Sequence, residues 1–227
     1  KEGTPVIFDG NDEAAAEIIQ NTAKEHHAPC REIGKNAFEI REVTRKHIAF
    51  SRTNAYHKDV IWQVPICGIY QVKNAEIAIE AAQCLLGNKP EHEEMWRDAV
   101  AKIHWQGRME ERADHFIIDG AHNPGAIEAF VESVRALKEE EPPILIFSAV
   151  SDKKYEQMIE YLCRHLQTKA FVVTEIEDKR RVPAGELGEI FKRYATCPVY
   201  VKADVKDAIA CAYEMRTKET YIYCIGS

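Results

Sequence analysis

The stretch from residue 115 to residue 125 reads HFIIDGAHNPG, and it shows how the chain folds. His115 to Ile118 is a short, mostly apolar run of the kind that forms a buried strand. Gly120 then allows a sharp bend of the backbone, and Pro124 suits the first turn of a helix. A buried strand followed at once by a turn and a helix is one half of a βαβ unit.

The same order of strand and helix repeats along the rest of the chain. Further strands are predicted at 144–147, 170–173, 199–201 and 221–225. Helices are predicted at 125–138, 154–166, 184–194 and 205–215. Apolar strands that alternate with helices indicate an α/β fold with a mostly parallel sheet.

The region before residue 106 contains a different set of elements. They are strand 5–8, helix 13–26, short strands near 38–40, 47–50 and 60–62, and helices 71–86 and 91–103. The short strands alternate polar and apolar residues, as in a small sheet. We therefore predict a boundary near Trp105-Gln106-Gly107, which divides the chain into domains 1–106 and 107–227.

The composition is that of a soluble globular protein. Of the 227 residues, 45% are hydrophobic and 30% are charged, which supplies a core and excludes a disordered chain. The net charge is −7, whereas a nucleic-acid-binding protein usually presents a strongly basic face. No apolar run is long enough to cross a bilayer, and no signal-peptide pattern opens the chain. We expect a cytoplasmic protein without nucleic-acid or membrane partners.

The cysteines and histidines point to neither disulfides nor a metal site. The seven cysteines are widely spaced, and none forms a C-x-x-C pair. An odd number at such spacing disfavours a disulfide scaffold or a zinc ribbon, so we expect reduced thiols. The nine histidines show no spacing typical of metal ligands, and we predict no metal site in this chain.

The segment Asp119 to Pro124 is the strongest local signal for a binding site. It follows a predicted strand, and parallel α/β sheets bind ligands at the carboxyl ends of their strands. Asp119 could accept hydrogen bonds from two hydroxyls, as a ribose offers, and His122 is polar and not needed for packing. An Asp/Asn turn that only caps the next helix is an equally good interpretation.

Two further polar groups are weaker signals when each is taken alone. Arg108, in Gly107-Arg108-Met109-Glu110, could bind a phosphate with its bidentate fork, but a solvated arginine beside acidic neighbours is the simpler interpretation. Gln71 and Asn74 are three residues apart on a helix and could read the edge of a base. Ordinary polarity at a helix start is the alternative for that pair.

Several well-known motifs are missing from the sequence. It contains no G-x-x-x-x-G-K-[ST] phosphate loop, no G-x-G-x-x-G and no G-x-S-x-G. The missing glycine fingerprint makes a nicotinamide oxidoreductase a distant alternative.

Taken together and in this order, the motifs resemble the folylpolyglutamate synthase/dihydrofolate synthase family of the Mur ligase superfamily. Gly68 to Ala75 is similar to that family's Gly-x-His-Gln-x-x-Asn-Ala segment, and Gly107 to Glu110 to its Gly-Arg-x-Glu. Asp119 to Pro124 matches its Asp-Gly-Ala-His-Asn-Pro. Phe147 to Tyr155 is similar to its Gly-x-x-x-Asp-Lys-Asp stretch, and Ile225 to Ser227 to its late Gly-Ser.

The chain departs from the family pattern at a few positions. Tyr70 stands where the family often has histidine, and Lys154 where aspartate is common. Ser148-Ala149 replaces the usual glycine. None of these changes affects Asp119, Arg108 or Asn74.

The resemblance implies an ATP-dependent ligase that joins L-glutamate to the γ-carboxyl of a folate, and in some members to dihydropteroate. ATP and Mg²⁺ convert the carboxylate into an acyl phosphate, which the amine of glutamate then attacks. The implied fold is a Rossmann-like carboxy-terminal domain with a mostly parallel sheet, preceded by the back part of a P-loop-type ATPase domain. The full-length protein would be a monomer.

The resemblance also implies roles for individual residues. Asn74 would contact adenine with Gln71 nearby, and Asp119 would hold the ribose hydroxyls. Arg108 would reach the ATP phosphates and act in catalysis. The residues implied to place the incoming glutamate are His122, which is also a catalytic candidate, Asn123 and Ser227. Lys153 is implied to aid an anionic group, although a solvated lysine is an equally good interpretation.

We expect the chain to be part of a longer protein. It begins Lys1-Glu2-Gly3 without a methionine and stops directly after an apolar run, at Ser227. The phosphate loop and the magnesium ligands would then lie before Lys1, and the isolated chain would be inactive.

Two other functions stay open at this point. One is a peptidoglycan Mur ligase, which adds amino acids to a nucleotide-linked muramyl chain, although Asp119 to Pro124 favours the folate branch. The other is a non-catalytic α/β module that binds a ligand or a partner.

Overall fold

The computed structural model describes residues 1–34, 36–53, 60–87 and 89–227. The chain forms two compact units, Lys1–His104 and Trp105–Ser227. The division follows His104, whereas the sequence placed it after Gln106.

The first unit combines a strand–helix–strand segment with an antiparallel sheet. Its elements are β1 (Val6–Asp9), α1 (Glu13–Glu25), β2 (Cys30–Ile33), β3 (Phe38–Val43), β4 (Ile48–Arg52), β5 (Ile61–Val64), α2 (Tyr70–Leu86) and α3 (Pro90–Val100). β1 pairs with β2 in parallel, and β3, β4 and β5 form an antiparallel meander. The middle strand β4 is entirely buried, and its Phe50 packs with Trp62 and Val72 in the core of the unit.

A network of buried charges ties β4 to α2. Arg52 donates from Nε and Nη2 to the two carboxylate oxygens of Glu76, at 2.7 and 3.0 Å, and from Nη2 to Glu80 at 2.5 Å. Arg31 forms an ion pair with the other oxygen of Glu80. Burial raises the pKa of Glu76 above its usual value, although Arg52 acts in the opposite direction. Two carboxylates without exposure to water are therefore kept in place by two arginines.

The second unit contains one six-stranded sheet with helices on both faces. Its elements are β6 (Glu110–Ala113), β7 (Phe116–Asp119), α4 (Pro124–Leu137), β8 (Ile144–Ser148), α5 (Tyr155–His165), β9 (Ala170–Val173), α6 (Ala184–Tyr194), β10 (Val199–Val201), α7 (Val205–Met215) and β11 (Ile222–Gly226). The strand order is β10-β9-β8-β11-β7-β6, and every neighbouring pair is parallel except β6 and β7.

The two faces of this sheet are covered by different helices. Ile146 and Val172 pack in one cluster with Ala208 of α7. The neighbouring residues Phe147 and Phe171 point to the other face, because side chains alternate along a strand, and both contact Phe191 of α6. Burial on both faces explains why β8 and β9 are apolar runs without polar alternation.

The prediction of a mostly parallel α/β sheet is confirmed, and three details differ from the sequence-based elements. β2 was not among the predicted strands. β6 was not predicted, because it is a short edge strand whose residues are mostly polar and exposed. α3 ends at Val100, so Ile103 lies beyond the helix and is exposed instead of continuing its buried face. Within the described residues, no helix has the length and apolarity needed to cross a membrane.

Candidate functional site

Three neighbouring strands of the second unit end together at the carboxyl edge of its sheet. β11 lies between β8 and β7, with Ile225 opposite Asp119 and Gly226 opposite Ser148. Asp119, Ser148 and the Gly226-Ser227 segment are therefore close in space although they are far apart in sequence. This edge is where ligands bind in open parallel sheets.

Asp119 is buried, and its carboxylate holds two backbone amides. Oδ2 accepts a hydrogen bond from the N–H of Met109, and Oδ1 accepts one from the N–H of Ala121, both at 2.9 Å. The N–H of Gly120 donates to the carbonyl of Gly107 at 2.8 Å. These hydrogen bonds connect the segment Gly107 to Glu110 with the segment Asp119 to Pro124 at the end of β7.

The side chain of Arg108 lies across Gly120. Its Nη1 donates to the carbonyl of Gly107 at 3.2 Å. A Cβ on Gly120 would collide with that nitrogen, so the absence of a side chain at Gly120 lets the guanidinium lie there. The structure thus brings Arg108 beside the loop that follows Asp119.

His122 and Asn123 occupy the loop before α4. Nδ1 of His122 is 2.8 Å from the carbonyl oxygen of Gly120. A carbonyl only accepts, so Nδ1 carries a proton, and Nε2 is the acceptor of the neutral ring. Oδ1 of Asn123 accepts a hydrogen bond from the N–H of Ala126 and caps α4. The amide nitrogen of Asn123 and the second lone pair of Oδ1 are the groups that could contact a substrate.

Ser227 is bound to the end of β8 through backbone and side chain. Its N–H donates to the carbonyl of Ser148 at 3.2 Å, and Oγ of Ser148 donates to the carbonyl of Ser227 at 2.6 Å. The strand ends are thereby fixed to each other.

Gln71 and Asn74 belong to the first unit, in the first turns of α2. Nδ2 of Asn74 donates to Oε1 of Gln71 at 2.8 Å, so the two side chains do lie together. Gln71 is buried and Asn74 is exposed, which leaves Asn74 as the member of the pair that faces solvent.

The described residues contain one group of three side chains close enough to share a metal ion, namely Glu111, Asp114 and His115. This group lies at the amino end of β7, at the opposite edge of the sheet from Asp119. Hydrogen bonds from His115 and Arg216 hold the pKa of Asp114 below its usual value. A guanidinium on one of the three ligands disfavours a divalent cation, so these residues do not fit a magnesium site.

Residues 107–227, more than half of the chain, match the family model described as Mur ligase, glutamate ligase domain. The chain belongs to the Mur ligase family.

Curated relatives show which members of the Mur ligase family this chain is similar to. It is 27% identical over 169 residues to the dihydrofolate synthase/folylpolyglutamate synthase of Bacillus subtilis, which covers 71% of this chain and 39% of that protein. It is 32% identical over 110 residues to the folylpolyglutamate synthase of Lacticaseibacillus casei, which covers 47% of this chain and 26% of that protein. The resemblance to the folylpolyglutamate synthase/dihydrofolate synthase family is confirmed.

Solved structures with this fold include FolC of E. coli in complex with DHPP and ADP. The TM-score is 0.79 at 21% identity, over all of this chain and 51% of that one. Folylpolyglutamate synthase of Thermotoga maritima gives a TM-score of 0.71 at 20% identity, over all of this chain and 52% of that one. The chain spans about half the length of these solved chains and a smaller share of the length of the two curated relatives. At 20% and 21% identity, the solved structures show the fold alone.

Two residues at the site of this Mur ligase chain were missed by the sequence analysis. Glu110 accepts a hydrogen bond from the N–H of Gly107, and Ser148 binds Ser227 as described above. The signal for Glu110 was its place three residues after Gly107 in the Gly-Arg-x-Glu motif. Ser148 offered a weaker signal, as the polar residue that ends an apolar strand.

Replacing Gly226 with alanine is expected to destabilise the second unit by about 2–4 kcal/mol. Gly226 has φ of 107°, and a Cβ there would collide with the carbonyl oxygen of Ser148. Urea unfolding followed by circular dichroism measures the loss. Gly185→Ala is the matched control: nothing lies within 4 Å of its Cβ position in α6, and alanine favours a helix. Equal stability of the two variants would show that the strand ends tolerate a side chain.

Proposed function

We propose that this chain is the carboxy-terminal portion of an ATP-dependent ligase that adds L-glutamate to the γ-carboxyl of a folate. Dihydropteroate is proposed as a second acceptor. The observation that carries the proposal is the arrangement of residues at the end of β7. Asp119 accepts a hydrogen bond from the N–H of Met109, next to Arg108, and His122 lies in the loop that follows Asp119. The names of both curated relatives support addition of glutamate to a folate, and that of the Bacillus subtilis relative also supports dihydrofolate synthesis.

The proposed reaction has two steps. An oxygen of the folate γ-carboxylate attacks the γ-phosphorus of ATP, which forms an acyl phosphate and releases ADP. The amine of glutamate then attacks the acyl carbon, loses a proton, and displaces inorganic phosphate. Neither step needs a covalent bond to the protein, so the protein acts by positioning and by stabilising phosphoryl charge.

The second unit offers suitable groups for both steps. The guanidinium of Arg108 supplies charged donors to phosphoryl oxygens. Nε2 of His122, the acceptor of the neutral ring, would take a hydrogen bond or proton from the amine of glutamate. Asn123 and Ser227 are proposed to help hold the amino acid. Asp119 is proposed to bind the ribose hydroxyls in addition to the two backbone amides.

The first unit is proposed to be part of the central ATPase domain, with Gln71 and Asn74 as its adenine-binding residues. No phosphate-loop sequence occurs in the 227 residues, so the proposal assigns the phosphate loop and the Mg²⁺ ligands to another part of the protein. When bound, Mg²⁺ would neutralise phosphate charge there. The complete enzyme is proposed to be a cytoplasmic monomer, and the 227-residue chain alone is proposed to be inactive.

The test is an assay of the full-length protein with radiolabelled glutamate, ATP and one of three acceptors. We expect glutamate to be added to a reduced folate or to dihydropteroate, with one ADP and one phosphate formed for each bond. Addition of an amino acid to a UDP-muramyl acceptor instead would establish the peptidoglycan alternative. The absence of ADP formation with every acceptor would support the non-catalytic module. Turnover by the 227-residue chain alone would contradict the assignment of the phosphate loop to another region.

A further inference from the structure

The backbone around Arg108 has an unusual conformation. Gly107 and Met109, the residues on either side, both have positive φ, at 65° and 49°. For glycine this costs little, but a side-chain-bearing residue such as Met109 adopts it at a cost of free energy. Such a conformation persists only where the surroundings hold it in place, and it is frequent at functional sites.

Two carboxylates hold the amides that flank Arg108. The N–H of Gly107 donates to Oε2 of Glu110 at 2.8 Å, and the N–H of Met109 donates to Oδ2 of Asp119 at 2.9 Å. Hydrogen bonds to charged acceptors are stronger than those between neutral groups. The backbone of Arg108 is thus fixed from both sides, and its side chain is fixed by Gly107 and Gly120 as described above.

Glu110 is itself firmly placed. It begins β6 and pairs with Ile118 of β7, and its side chain is only 14% exposed. Its second oxygen, Oε1, accepts a hydrogen bond from Nη1 of Arg112 at 3.0 Å. The carboxylate therefore turns back towards Gly107 and acts as a support for the backbone.

We propose that Glu110 is a positioning residue for Arg108. By holding the amide of Gly107, it keeps the turn that presents the guanidinium at the carboxyl edge of the sheet. This inference rests on the proposed function for the role of Arg108, but the structural part of it stands without any activity. Without the hydrogen bond to Glu110, the backbone and side chain of Arg108 would be free to adopt many conformations.

Hydrogen exchange in the 227-residue chain tests the structural part. Glu110→Ala is expected to speed exchange of the Gly107 amide by about ten-fold or more, because its acceptor is lost. Glu110→Asp, which keeps the charge on a shorter side chain, is expected to behave similarly. Glu110→Gln keeps an acceptor oxygen and is expected to protect the amide. Equal exchange in all variants, or loss of protection in Glu110→Gln alone, would overturn the inference.

Glu111→Ala is the matched control in that experiment. Glu111 is the next residue on the same strand, and its carboxylate accepts from the N–H of His115. Glu111→Ala is expected to speed hydrogen exchange of the His115 amide and to leave the Gly107 amide protected from exchange. The Ala126 amide, which Asn123 holds, reports that the rest of the site is intact in every variant.

A double-mutant cycle in the full-length protein tests the link to Arg108. If Arg108→Ala lowers kcat by about 100-fold, Glu110→Ala is expected to lower it by about ten-fold with KM for glutamate unchanged. Glu110→Gln should restore most of kcat, and the Arg108→Ala/Glu110→Ala double variant should match Arg108→Ala. Additive losses would show that Glu110 acts independently of Arg108. A wild-type protein without ligase activity would instead contradict the proposed function and leave the exchange result standing.

Discussion

Replacing Arg52 with alanine is expected to lower the free energy of unfolding of the first unit by about 3–5 kcal/mol. The variant removes a partner of Glu76 and a partner of Glu80, and the side chains of these two glutamates have no exposed surface. A buried carboxylate without its cation must either take up a proton and become neutral or disrupt the packing around it to reach water. Urea unfolding followed by tryptophan fluorescence measures the loss, since Arg52 lies 5.6 Å from the ring of Trp62.

The size of this loss should depend on pH. Burial already raises the pKa of Glu76, and removal of Arg52 takes away the main group that lowers it. A carboxyl with a raised pKa in the folded state stabilises the fold when protonated, and that stabilisation is lost as pH rises through the folded pKa. The variant should therefore be closer to wild type at pH 5 than at pH 8.

Arg41→Ala is the control for Arg52. Arg41 pairs with Glu39 on an exposed part of the antiparallel sheet, with side chains 45% and 61% exposed, and its Nε donates to Oγ of Ser51 at 2.9 Å. The pair contributes about 0–1 kcal/mol and the hydrogen bond about 1 kcal/mol, so a loss of at most about 2 kcal/mol is expected. A loss of that size for Arg52→Ala as well, independent of pH, would show that the buried network adds little to stability.

Asp119→Ala is expected to weaken ADP binding to the full-length protein by about ten-fold or more and to destabilise the second unit by about 2–5 kcal/mol. The first effect follows from the proposed contact with ribose. The second follows from the structure, because the buried amides of Met109 and Ala121 both lose their acceptor. Calorimetric titration with ADP and urea unfolding measure the two effects separately.

Two further variants make the Asp119 experiment decisive. Asp119→Asn keeps one acceptor oxygen and should lose less stability than the alanine variant. Glu189→Ala, which removes an exposed partner of Lys192 on α6, should change neither quantity by more than about 0.5 kcal/mol. A folded Asp119→Ala protein with normal ADP affinity would leave Asp119 a purely structural residue and contradict the ribose assignment.

The sequence predicted those parts of the fold that depend on burial. β8 and β9 are covered on both faces, so they are apolar throughout and were found within one residue of their observed bounds. β6 could not be found in this way, because Glu110 to Ala113 form a strand through backbone pairing with β7 at the edge of the sheet and not through burial of apolar side chains.

The candidate site was predicted as a set of motifs, and its geometry was not. The order of the motifs was enough to indicate the family, which is confirmed. The bonds from Glu110 to Gly107 and from Asp119 to Met109 depend on a pair of positive φ angles and on the β6–β7 pairing. Neither can be read from residue types or spacing. The roles of Gln71, Asn74, Arg108, His122 and Ser227 in binding or catalysis stay predictions, and the double-mutant cycle tests that of Arg108.

The position of β11 has a consequence for synthesis of the protein. This strand follows β6 to β10 in sequence, yet it lies between β7 and β8. While a ribosome is still making residues 149 to 221, β7 and β8 have no neighbour to join them, and both present unpaired apolar edges. The sheet closes only when residues 222–226 have emerged, by an insertion that links distant parts of the chain and is therefore slow. The nascent chain is thus exposed to aggregation, and to binding by chaperones, until β11 has left the ribosome.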